Sequence, residues 1–117
     1  MAYDLKVAER IRERLANLKV RDVEEKKAFG GLVFMVKDKM CVCASGEKLM
    51  CRFDPVLQEK ISNKKGFEPM IMRGKEVNGY CYILPEGFKA KKDFEYWIDR
   101  SLDYNDKAQS PKKKSKQ

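Results

Sequence analysis

The stretch from Val23 to Phe53 constrains this chain most. It alternates β-rich runs of strand length with polar breaks too short for a crossover. Val23–Phe29 reads as a strand with mostly polar exposure, and Gly30-Gly31 ends it. Leu32–Val36 is an apolar run. Lys37-Asp38-Lys39 is a polar turn, and Met40–Ala44 runs back. Ser45-Gly46-Glu47 turns again before Lys48–Phe53. Parallel strands need connections of a dozen residues or more, so these runs pair as antiparallel hairpins. The glycines Gly30 and Gly31 lack the strand-then-helix context of a phosphate loop. They read as a bulge or tight turn that needs positive φ or close backbone approach.

Helices flank this meander. Leu5, Ala8, Ile11, Leu15 and Leu18 recur at three- and four-residue steps within 3–18, which predicts an amphipathic helix. Asp54-Pro55 is a helix start, a capping carboxylate followed by proline, and Gly66 follows its expected end. Pro69–Met72 and Gly79–Leu84 read as strands around the turn Arg73–Glu76. Lys91–Tyr104 is a last helix, with Phe94, Trp97, Ile98 and Leu102 on one side. That shared face places Trp97 in the core. The predicted order is α-β-β-β-β-α-β-β-α: an α+β domain with helices packed on one face of a mainly antiparallel sheet. The expected domain spans 1–105, and 106–117 is expected to be a disordered, lysine-rich tail.

Composition narrows the chemistry. The 117 residues include no histidine, which excludes Ser-His, Cys-His and His-ligated metal arrangements within the chain. Carboxylates such as Glu24 and Glu25 are strand neighbours and point to opposite faces, so they make a poor acid–base pair. Neither a nucleophile elbow nor a phosphate loop is present. Cys41, Cys43, Cys51 and Cys81 do not follow a common zinc spacing. Cys41 and Cys43 are expected on the same strand face, and all four thiols read as small buried hydrophobes. No cofactor or metal is expected, and no enzyme.

The net charge is +8, but 106–117 hold five lysines against one acid, so half of that charge sits in the last tenth of the chain. Lys112, Lys113, Lys114 and Lys116 are the nucleic-acid candidates, with Lys64, Lys65, Lys91 and Lys92 on the body. Tyr80 and Tyr82 share a strand face and could stack bases. Such binding would be sequence-blind and salt-sensitive. The charged start shows no secretory h-region, and no apolar run is long enough for a membrane span, so a cytoplasmic location and no membrane partner are expected.

Three motifs in order resemble the N-terminal domain of the TfoX/Sxy family. They are Ala28-Phe29-Gly30-Gly31 with the apolar run after it, Glu68-Pro69-Met70-x-Met72-x-Gly74-Lys75 with Gly79-Tyr80, and the Asp93–Tyr104 helix around Trp97. The sequence departs at Ala28 and Val77, where the family often has methionine. The resemblance implies a mixed α/β domain similar to secretion-chaperone-like and YjbR-like folds. Two-domain members regulate competence for DNA uptake and carry a second helical domain, where this chain has its lysine tail. The implied function is a non-enzymatic regulatory or protein-interaction domain, linked to transcriptional or competence regulation. The expected partner is a protein, with the chain a monomer or homodimer; weak nucleic-acid binding is the alternative. The candidate partner surface is Arg52, Arg73, Gly74, Lys75 and Tyr80. Phe29, Gly30, Gly31, Gly79 and Trp97 are the structural motif residues.

Overall fold

A computed structural model describes residues 3–28 and 30–107. The observed order is α1 (Leu5–Asn17), β1 (Val23–Ala28), β2 (Gly31–Val36), β3 (Lys39–Ser45), β4 (Lys48–Arg52), α2 (Gln58–Ile61), β5 (Phe67–Met72), β6 (Lys75–Ile83) and α3 (Lys91–Asn105). This is the predicted α+β order. The six strands form one antiparallel sheet in the order β1-β2-β3-β4-β6-β5. The meander runs from β1 to β4, and the second hairpin then docks β6 against β4, leaving β5 on the edge.

Turn chemistry sets the hairpins. Lys37-Asp38 and Arg73-Gly74 each carry positive φ at both positions, joining Val36 to Lys39 and Met72 to Lys75. Such turns match the twist of the flanking strands. The second turn therefore takes two residues rather than the expected four, and β6 begins at Lys75 rather than Gly79. The helix predicted after Asp54 is shorter than expected. Asp54 accepts a hydrogen bond from the Val56 N–H (3.1 Å), but Pro55–Leu57 is a 3-10 turn ahead of a single turn of α2.

The main core lies between the sheet and the helices α1 and α3. Val7, Ala8, Ile11 and Leu15 of α1 meet Phe94, Trp97 and Ile98 of α3 over Phe34, Val42, Leu49 and Ile83. Leu5 and Leu18, expected on the buried stripe, are exposed, and Val7 takes the inward position instead. Trp97 is buried, as predicted, and its indole N–H donates to the Gly87 carbonyl (3.3 Å). Arg14 ties the helices together with two contacts to Asp99 (2.9 and 3.0 Å) and one to Glu95 (3.5 Å).

Lys39 and Cys41 also depart from their sequence reading. Lys39, read as part of a polar turn, is buried in β3, and its ammonium donates to the Asn105 carbonyl (2.7 Å) at the end of α3. A cation there satisfies a terminal carbonyl and opposes the helix dipole. Cys41 and Cys43 do not share a face. The β2–β3 register passes from Phe34↔Val42 to Met35↔Met40, so Cys41 is skipped as a bulge. Cys41 and Val42 both join the helix-covered core, and Cys43 faces the other side. Glu24 and Glu25 do separate, opposite Met35 and Phe34 respectively, and Glu25 pairs with Arg12 (2.7 Å).

Candidate functional site

The face of the sheet away from the helices carries a second apolar cluster. Val33, Cys43, Met50 and Met70 are its buried members, with Met35, Met40, Val77, Tyr80 and Tyr82 packed around them. Among the described residues only strand side chains contribute to it. Five of the chain's six methionines lie in this region once Met72 is counted. Methionine is flexible and polarizable, and it suits surfaces that must fit varied apolar shapes.

At the β4–β6–β5 end this cluster opens into a groove of about 420 Å³. Met50, Tyr80 and Tyr82 line one side, and Met70, Ile71, Met72 and Val77 the other. Ile71 and Met72 are more than half exposed, at 55% and 57%. The groove depends on a break in the β5–β6 ladder. Pro69 pairs with Cys81, but Ile71 pairs with Glu76, so β6 carries the extra residues. Gly79 sits in that excess with φ +88°. Its N–H donates to the Gln58 side-chain oxygen (3.0 Å), and its carbonyl accepts from the Phe53 N–H (2.8 Å). A Cβ there would crowd the Phe53 carbonyl and the Pro55 ring. Gly79 is thus required by both conformation and space.

The sequence-predicted partner residues border this groove in two groups. Arg52 and Tyr80 pair across β4 and β6, and the guanidinium lies over the Tyr80 ring (5.5 Å) and the Tyr104 ring (5.7 Å). Arg73 and Gly74 form the exposed β5–β6 turn, and Lys75 is the exposed first residue of β6. Tyr80 and Tyr82 do share a face, and Lys48 lies over the Tyr82 ring (5.1 Å) while pairing with Glu68 (2.6 Å). Sequence reasoning missed Met50, Ile71, Val77 and the edge position of Met72. The available signal was methionine at 50, 70 and 72 in runs that also hold Tyr80 and Tyr82.

The family model for the TfoX N-terminal domain matches residues 13–104. The chain belongs to this family. The TfoX N-terminal domain here also resembles a crystal structure of a protein from Pseudomonas syringae. The two share 16% identity and a TM-score of 0.54, over 80% of this chain and 93% of the other. At that identity the likeness concerns the fold. No curated protein matches the chain.

Other predicted features of this TfoX N-terminal domain have plain structural settings. Gly30 lies in the β1–β2 turn with φ +72°, and Gly31 abuts the Ala44 backbone. All four thiols are free and buried. Burial pushes Cys41 and Cys81 up to about 12 and Cys43 to about 11, with Cys51 also raised well above the ordinary value. Such thiols are poor nucleophiles and poor ligands at neutral pH. Lys64 lies over the Tyr96 ring (4.2 Å). Asp106 and Lys107 pair back onto Lys37 (3.4 Å) and Asp54 (3.8 Å). Phe29 and the tail lysines Lys112, Lys113, Lys114 and Lys116 lie outside the described residues. No helix among the described residues is long and apolar enough to cross a membrane.

Proposed function

We propose that this TfoX N-terminal domain is a non-enzymatic regulatory module that acts by binding another protein through the open face of its sheet. One observation carries the reading. The sheet buries one face under α1 and α3, yet keeps a methionine- and tyrosine-lined groove on the other. A monomer gains nothing in stability from exposing Ile71 and Met72 beside such a groove, and a concave apolar site of this volume with aromatic walls is of the kind that takes a binding partner. The buried, protonated thiols add no reactive group to it. A role in transcriptional or competence regulation, implied by the family, belongs to the same proposal and would act through the bound protein.

The test compares capture of partners from nuclease-treated extract of the native host. The tagged chain is run beside Ile71→Asp/Met72→Asp and beside Val56→Asp. Val56 is 85% exposed and does not line the groove, so it controls for lost surface hydrophobicity. Captured protein should fall at least about tenfold, or 1.4 kcal/mol, for the groove variant and stay unchanged for Val56→Asp. Equal capture by all three would remove the groove from the account.

A further inference from the structure

We infer that the groove accepts an acidic amphipathic segment of a partner protein, its apolar side chains between Met50 and Met72 and its carboxylates on the rim. The inference rests on the docking reading above and adds the chemistry of the occupant. The rim supplies the evidence. Arg52, Arg73 and Lys75 border the groove, and among the described residues none of them forms an ion pair. Of the nearby acids, Glu68 is neutralised by Lys48 (2.6 Å), while Glu76 accepts from the neutral Gln58 amide (2.7 Å) and keeps its charge. Set against Arg52, Arg73 and Lys75, Glu76 is one carboxylate among three cations, so the rim keeps an excess of positive charge around walls that are apolar.

Charge selects among occupants. A second copy would bring the same three cations and a net charge of +8 to the contact. The chain's own segment 106–117 carries five lysines against one acid and would be repelled for the same reason. A partner with interspersed acids and large apolar residues meets both the walls and the rim. A single-stranded nucleic acid would satisfy the cations but not the walls. Met50, Met70, Ile71, Met72 and Val77 offer no ring for a base to stack on. Both tyrosine rings already have a cation of this chain over them.

The test uses the full chain with labelled methionine methyl groups, followed by NMR. Three probes are titrated: a short peptide with Leu and Phe at helical spacing and Glu or Asp elsewhere, the same peptide with Lys for every acid, and a short oligothymidylate. The acidic peptide should move the Met50, Met70 and Met72 methyl signals and leave Met35 nearly still. The lysine peptide should bind at least about tenfold more weakly. Arg73→Glu/Lys75→Glu, at two exposed residues of the turn and the start of β6, should reverse that preference. Equal binding of both peptides at these methyls would overturn the acidic occupant while leaving groove docking intact. If neither peptide moved them, both the acidic occupant and groove docking would be overturned. Tighter binding of the oligothymidylate at the same methyls would replace the protein partner with nucleic acid. Shifts that grow with protein concentration alone would replace it with a second copy.

Discussion

Gly31→Ala should cost on the order of 3–5 kcal/mol and leave little folded protein, whereas Gly30→Ala next to it should cost about 1 kcal/mol. The two glycines serve different needs. Gly30 has φ +72° with open space around it, so alanine there meets only the strain of the left-handed region. Gly31 has ordinary strand φ but lies across the sheet from Ser45, and a Cβ would fall on the Ala44 carbonyl oxygen. Ala44 is buried backbone in the central strand β3 and cannot yield without breaking the ladder on both sides. Urea denaturation followed by circular dichroism would compare them. Similar losses at both positions would show that the close approach at Gly31 is not the constraint.

A second large effect is expected in alkali. The four thiols stay protonated in the folded chain, with Cys41 and Cys81 at about 12 and Cys43 at about 11. In the unfolded chain they ionise near the ordinary value of 9.0. Above that pH the unfolded state holds fewer protons than the folded one, so stability falls as pH rises. The contribution is complete below pH 9 and is lost progressively up to 11–12. Each thiol withdraws up to about 1.4 kcal/mol per pH unit in this window. Near pH 10 the four together remove on the order of 5 kcal/mol, comparable with the whole stability of a small domain. The midpoint of urea unfolding should therefore drop steeply between pH 8.5 and 10.5. Cys81→Ala should flatten that slope by one thiol's share despite its own cost in packing. A midpoint that stays level across the window would contradict the buried, neutral thiols.

Much of this architecture was legible in local chemistry, and the losses have identifiable causes. Turn pairs such as Arg73-Gly74 and the apolar period of α3 act within a few residues, so they marked the hairpin and the helix face directly. Cys41 defeated the reading because alternation assumes an unbroken ladder, and the bulge opposite Phe34 and Met35 is set by pairing between strands. Lys39 looked like turn because its partner, the Asn105 carbonyl, is 66 residues away. The candidate site was read in part. Arg52, Arg73, Gly74, Lys75 and Tyr80 were marked by charge, turn residues and motif. The groove they border was hidden, because an apolar strand residue looks the same whether helices cover its face or leave it open. Met50 and Cys51 are adjacent and both buried, yet they belong to opposite sides of the sheet.

A sheet covered by helices on one face and by a partner on the other is tested most directly by methionine oxidation. Sulfoxide formation follows exposure, so a brief peroxide pulse on the purified chain should oxidise Met72 quickly and Met50, 2% exposed, slowly. The same pulse given to host cells expressing the chain near its native level should leave Met72 several-fold less oxidised, because a bound partner covers the groove. Arg73→Glu/Lys75→Glu should restore its oxidation in cells. Met72 oxidised equally in cells and in pure protein, after correction for peroxide dose with an unrelated exposed methionine, would contradict a groove occupied by a partner.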